Sequence, residues 1–260
     1  MAITLRSQRE IELMRRAGTV VADVLLKMKE IAEPGITTAQ LDNIALQMAS
    51  DAGAEVLFKG VRTPISKMPF PGVICASLNE QVVHGIPSNK VYVKEGDILS
   101  VDFGVRLDGY CADAAITIPI GKISQEKQRL LDITKGALDI AIEKSAPSIR
   151  WSQIAGQMQR HAESAGFSVV KDFVGHGIGR EMHEEPKVPN FVNKELLADD
   201  IVLSSGMVLA VEPMINAGSA AVKTLRNGWT VVTKDGKCSA HFEHTIAINE
   251  NGCEVLTVRS

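Results

Sequence analysis

Asp102 and Asp113 stand at inward positions of two short apolar runs, GDILSVDFGVRLDGYCADAAITI over 96–118, with a turn between them. Acids at such positions are costly to bury unless something positive sits between them. Glu212, at the end of GMVLAVE, and Glu243, before HTIAI, repeat the pattern later in the chain. Even at an effective dielectric near 20, two like charges about 4 Å apart cost roughly 4 kcal/mol, so four converging carboxylates need cations. Two divalent ions would balance them charge for charge. A histidine added to the set makes a mixed oxygen and nitrogen site, harder than structural thiolate sites. Manganese, iron(II) and cobalt(II) suit such ligands, and zinc is compatible. Two such ions about 3.5 to 4 Å apart can share a hydroxide, lower its pKa and polarise a carbonyl, so the expected reaction class is hydrolysis.

The surrounding elements must position these acids. Ser7 and Glu10 form a capping box, and Ile11, Met14, Val21, Val24, Leu25 and Met28 recur at helical spacing until Pro34-Gly35. A second helix is expected from Thr37 or Thr38, with Leu41, Ile44, Ala45 and Met48 on one face and Gly53 as its stop. Prolines at 64, 69 and 71 mark the 61–71 segment as an irregular loop. Short apolar runs follow at Val73–Ser77 and Val82-Val83. After the hairpin, Leu130, Ile133, Ala137, Ile140 and Ala141 form the stripe of another helix that ends before Pro147.

The chain then repeats itself. Pro34-Gly-Ile36, Gln40-Leu41 and Ala52-Gly53 match Pro147-Ser-Ile149, Gln153-Ile154 and Ala165-Gly166 at a constant offset of 113. Gly96–Asp102 matches Gly206–Glu212 at 110, His84-Gly-Ile matches His176-Gly-Ile at 92, and Asp113 matches Glu243 at 130. The order implies one catalytic domain, 1–260, built of two related αβ halves, about 1–122 and 123–260. A pseudo-twofold would set Asp102 facing Glu212 and Asp113 facing Glu243.

At 260 residues, with a net charge of −3 and 45 % hydrophobic residues, the composition is that of a globular domain with no bias toward DNA or a membrane surface. The N-terminal MAITLRSQRE has no apolar signal core, and no apolar run approaches membrane-spanning length, so a cytoplasmic protein is expected. Cys75, Cys111, Cys238 and Cys253 are scattered, which favours reduced thiols.

HGIP at 84, VDFG through DGYCAD at 101–113, GHGIGREMHEEP at 175–186, VEPM at 211–214 and FEHT at 242–245 resemble the type I methionine aminopeptidases, in their short bacterial form. The resemblance covers essentially the whole chain. It implies an α+β "pita-bread" fold, two pseudo-twofold-related αβ halves around a curved antiparallel sheet with helices on its outer face. It also implies cotranslational removal of the initiator methionine from peptides with a small second residue. Under it, Asp102 chelates one metal, Asp113 and Glu243 bridge two, and His176 with Glu212 completes the second. Glu212 would also handle the proton of the attacking water, and His84 and His183 would contact the substrate and stabilise the tetrahedral intermediate. Cys75, Met182, Trp229 and Phe70 match the methionine pocket, a soft apolar surface suited to a thioether. Two departures stand out: Met182 replaces a usual aromatic, and the 61–71 loop lacks the family's tyrosine- and histidine-containing sequence. Asn79 and Ser239 match positions near a monovalent-cation site. The cotranslational role implies the nascent polypeptide as partner and a ribosome contact through Lys223, Arg226, Lys234 and Lys237, with a monomer expected.

Other signals are weaker. His183-Glu184-Glu185 begins like HExxH, but position 187 is Lys, and GHGIG lacks the Lys-Ser/Thr of a phosphate loop. His161 and His241 are read as structural. Competing readings are a proline-directed peptidase of the same fold, with the same five ligands, and a non-catalytic binding protein that kept the fold.

Overall fold

The computed structural model describes residues 3–64, 66 and 68–258. Met1, Ala2, two positions of the 61–71 loop, Arg259 and Ser260 lie outside them. The first 122 residues form α1 (Gln8–Ile31), α2 (Thr38–Asp51), β1 (Glu55–Val56), β2 (Cys75–Leu78), β3 (Gln81–Val83), β4 (Ile98–Leu107) and β5 (Tyr110–Pro119). The remainder forms α3 (Gln125–Lys144), α4 (Trp151–Ser164), β6 (Ser168–Val169), β7 (Gly175–Gly177), β8 (Glu184–Val188), α5 (Lys194–Ala198), β9 (Val208–Val211) and β10 (Met214–Asn216). It continues with β11 (Val222–Thr224), β12 (Val231–Thr233), β13 (Ser239–His241), β14 (His244–Asn249) and β15 (Gly252–Val255).

Local chemistry starts the helices where the sequence places them. Ser7 and Glu10 complete a reciprocal capping box on α1, and Thr37 with Gln40 does the same on α2. Ser124 caps α3. The apolar stripe of α1 is buried throughout and packs with α2 against β2, β4 and β5 in one core; α3 and α4 pack against β9, β10, β13 and β14 in another. The two cores are tied together: Ile11 and Met14 of α1 share a third cluster with Val208, Ala247 and Leu256. Gly18 is required at that junction, because a Cβ there would stand 2.0 Å from the Leu256 carbonyl oxygen.

The antiparallel sheet lies in four hydrogen-bonded segments among the described residues, ordered β1-β4-β2 with β5 on β4, β13-β10-β6, β11-β12-β3 and β15-β14-β9-β7-β8. β4 and β5 are one long hairpin closed by Asp108 (φ 51°) and Gly109 (φ 80°), two positive-φ residues whose twist matches that of the strands. Ala115 bridges to Glu243 and so joins this hairpin to the second half.

The register refines the internal alignment. Glu55 pairs with Arg106 as Ser168 pairs with Asn216, which preserves the offsets of 113 and 110 read from the sequence. Two of the matches are displaced, however. Gly104 opposes Asp113, and its equivalent Met214 opposes His241, so Asp113 corresponds to His241 rather than to Glu243. Ser77 opposes Ser100 as His176 opposes Ala210, so His176 corresponds to Ser77 rather than to His84. The first displacement is a two-residue slip, which keeps a side chain on the same face, so the sequence pattern alone cannot detect it; the second, of seven residues, moves the match from His84 back into β2.

Candidate metal centre and substrate pocket

Asp102 opposes Ala115 and Asp113 opposes Gly104, so the two acids share one face of the hairpin as diagonal neighbours. Gly104 leaves room for this: a Cβ there would meet the Asp113 carboxylate at 3.1 Å. Glu212 follows β9, Glu243 precedes β14, and the bridge to Ala115 carries Glu243 to the hairpin. His176 lies between two glycines in β7. Any side chain at Gly177 would strike the Glu185 carbonyl oxygen, 2.2 Å from its Cβ position, which explains the close-packed His-Gly pair.

Ligand atoms of Asp113, His176 and Glu243 lie within 4.8 Å of one another, and all three residues are buried. His176 Nδ1 donates to the Gly177 carbonyl at 2.8 Å, an assignment that leaves Nε2 facing the acids, 3.8 Å from Glu212 Oε1. Burial, then the charges of Asp113 and Glu212, push the Asp102 carboxyl well above its ordinary range. Burial, then Asp113, Glu212 and Asp102, do the same to Glu243. Burial also raises Asp113, with Glu212 adding to it, and raises Glu212. Asp102 Oδ1, Asp113 Oδ1 and Glu243 Oε1 are buried with no hydrogen-bond partner. Leaving a buried acceptor unsatisfied costs about 1 to 3 kcal/mol, more if charged, so these oxygens fit a bound cation.

The acids open into a cavity of about 750 Å³. One wall is the cluster Phe58, Phe70, Cys75 and Trp229, with Met182 packed against it and Cys75 opposing Asp102 across the ladder. All four residues assigned to the methionine pocket therefore meet. Phe58 is the member sequence reasoning missed; it precedes the proline-rich loop, where no periodicity marked it. The Phe70 and Trp229 rings meet edge to face at 5.2 Å, and Trp229 Nε1 donates to the Met68 carbonyl at 2.9 Å. Phe70 is held there by paired main-chain bonds, Gly60 to Phe70 and Phe70 to Val61, each 2.8 Å. The Cys75 thiol is pushed up by burial and then by Asp102 and Asp113, so it stays protonated and apolar.

His84 adopts a left-handed conformation (φ 58°), uncommon for a residue with a side chain, and stacks edge-on to Phe173 and Trp229. Burial, then His241 and His183, lowers its pKa to about 4. His183 lies 4.4 Å, ring centre to ring centre, from His176, and burial lowers it too. Both rings line the same cavity as the acids.

Asn79 and Ser239 are neighbours, with the Ser239 amide donating to the Asn79 carbonyl at 2.8 Å. Their side chains are engaged internally. The Asn79 carboxamide bonds Asp97, Ile98 and the Lys127 ammonium, and the Ser239 hydroxyl bonds the Ile215 carbonyl. Lys223, Arg226, Lys234 and Lys237 are all exposed, on β11 and on the turns flanking β12. Among the described residues, no helix is long and apolar enough to cross a membrane.

Residues 12–250 match metallopeptidase family M24. A methionine aminopeptidase of Clostridium perfringens is 48 % identical over 98 % of this chain and 99 % of its own length. One from Escherichia coli K12 is 38 % identical over 100 % and 95 %. The crystal structure of a methionine aminopeptidase from Thermotoga maritima superposes with a TM-score of 0.93 at 39 % identity, covering 99 % of this chain and all of that one. A prolidase of Pyrococcus furiosus, 20 % identical with a TM-score of 0.75 over 98 % of this chain and 66 % of that one, shares the fold. A metal-fitting cluster of buried acids and a histidine, in a pita-bread fold with relatives of this identity over their full lengths, places the chain: it belongs to metallopeptidase family M24, among the methionine aminopeptidases.

Proposed function

We propose that the protein removes the N-terminal methionine from peptides whose second residue is small, using a dinuclear centre held by Asp102, Asp113, His176, Glu212 and Glu243. The observation that carries this reading is the set of orphaned buried carboxylate oxygens opening into a cavity that is also lined by an apolar, aromatic wall. When bound, divalent ions supply Lewis-acid polarisation of a carbonyl and a water of lowered pKa. Manganese, iron(II) or cobalt(II) best suit the oxygen-rich donor set, and zinc is compatible.

The chain's own residues then do the following. The wall of Phe58, Phe70, Cys75, Met182 and Trp229 receives the methionine side chain, where a thioether gains about 0.3 to 1.5 kcal/mol from each aromatic contact. His84 and His183 are neutral at physiological pH, and each offers one N–H to the scissile carbonyl oxygen as it gains charge. As an ionised carboxylate at the centre, Glu212 would take a proton from the attacking water and pass it to the leaving amine.

The nascent chain is the natural substrate in this reading, and the exposed Lys223, Arg226, Lys234 and Lys237 would meet ribosomal RNA. Sedimentation with ribosomes that weakens when these four are replaced by Glu tests that contact. A monovalent cation near Asn79 and Ser239 would bind through main-chain oxygens, because both side chains are engaged.

The deciding experiment compares Met-Ala-Ser with an X-Pro peptide on metal-loaded protein, followed by a panel of Met-X peptides. Cleavage of Met-Ala-Ser, falling as X grows, is expected. Preference for the proline substrate would overturn the assignment.

A further inference from the structure

His241 lies in β13 at 2 % exposure, and its Nε2 has no hydrogen-bond partner. That atom stands 3.6 Å from Glu212 Oε2, while His176 Nε2 stands 3.8 Å from Oε1 of the same carboxylate. One imidazole therefore faces each oxygen of Glu212. The orientation of His241 is imposed by its main chain. The Thr117 hydroxyl accepts from the His241 amide at 2.9 Å and lies 2.8 Å from the His241 carbonyl, and Ser100 Oγ lies 2.9 Å from Thr117 Oγ1. The register adds a second constraint. His241 opposes Met214 as Asp113 opposes Gly104, so the imidazole projects from the position that Asp113 occupies on the other hairpin.

A ring nitrogen aimed at an ionised carboxylate, the form in which Glu212 would hold a metal, must carry the proton, because two lone pairs would otherwise confront one another. The separation is about 0.6 Å longer than a hydrogen bond, and a small rotation of the Glu212 carboxylate closes it. Contacts of this kind are often long in the unliganded enzyme and tighten in the working complex.

We propose that His241 is a positioning residue for Glu212: its Nε2–H donates to Oε2 and fixes the carboxylate plane, with Oε1 turned toward His176 and the three other acids. A protonated Nε2 cannot ligate a metal, so His241 acts through Glu212 and is not a sixth ligand. The inference deepens the metal-centre reading and rests on it.

Cobalt(II) titrated into the metal-free protein by calorimetry provides the test. Replacing such a partner typically costs 10- to 100-fold in metal affinity, so His241→Leu should bind cobalt(II) about that much more weakly. His241→Gln, whose amide N–H has similar reach, should bind like the wild type. Equal affinity in the Leu variant, or an equal loss in both, would overturn the proposal. Independently of either variant, ¹⁵N-resolved imidazole spectra of the zinc-loaded wild type, in which a metal-bound Glu212 is ionised, should show a one-bond-coupled proton on Nε2. The opposite tautomer would overturn the proposal even if neither variant folds. A wild type that binds no cobalt(II) would instead overturn the metal-centre reading and, with it, this one.

Discussion

Ala115 and Glu243 exchange both main-chain hydrogen bonds across an isolated antiparallel bridge, at 3.3 and 2.8 Å. Through this contact β5 meets the start of β14, and the Glu243 carboxylate is delivered to within 4.8 Å of ligand atoms on Asp113 and His176. The centre is thus built at a seam, from acids that neither hairpin could hold alone.

Asp102→Ala should leave a folded protein with activity on Met-Ala-Ser reduced at least about 10²-fold, the scale of losing one stabilising group at a transition state. The measurement is kcat/KM alongside circular dichroism. Undiminished turnover would remove Asp102 from the site.

Metal removal should lower the melting temperature. At a free metal concentration near 100 times Kd, binding adds about 2.7 kcal/mol, which for a chain of this size corresponds to roughly 5 to 10 °C. Chelation followed by calorimetry reads the shift, and an unchanged melt would argue against convergence of the acids on an ion.

Glu10 accepts from the Ser7 amide, the Ser7 hydroxyl and the Tyr110 hydroxyl, and with Arg6 nearby its pKa falls from 4.5 to about 2. A carboxyl with a depressed folded pKa contributes its full stability above the unfolded value, and loses it as pH falls through the folded one. Glu10→Gln should therefore cost about 1 kcal/mol near neutrality, the scale of a helix cap at a partly exposed site. The gap to wild type should narrow below pH about 4.5 and close near pH 2. Urea melts at a series of pH values would show it, and a gap independent of pH would contradict the assignment.

One oxygen of Asp42 in α2 accepts from the amides of Val73 and Ile74, at 2.6 and 2.9 Å, immediately before Cys75 in the pocket wall. Asp42→Ala leaves two donors to find other partners and should cost about 1 to 3 kcal/mol. KM for Met-Ala-Ser should rise more than kcat falls, because a binding wall moves while the centre stays. A fall in kcat alone would place the effect elsewhere.

Asp102, Asp113, Glu212 and Glu243 could be read from the chain because buried acids in apolar strand contexts demand a positive partner, a demand written in residue types alone. Capping boxes and apolar stripes likewise located α1, α2 and α3, since both depend on neighbours three or four residues away. Sequence could not decide the pairing between strands. Residue matching makes Glu243 the counterpart of Asp113 in the repeat, whereas the ladders, Gly104 against Asp113 and Met214 against His241, make it His241; a shift of two preserves every inward side chain. The same limit hid the place of His241 beside Glu212 and that of Phe58 beside Trp229. Both are contacts between segments distant in the chain, and only packing brings them together.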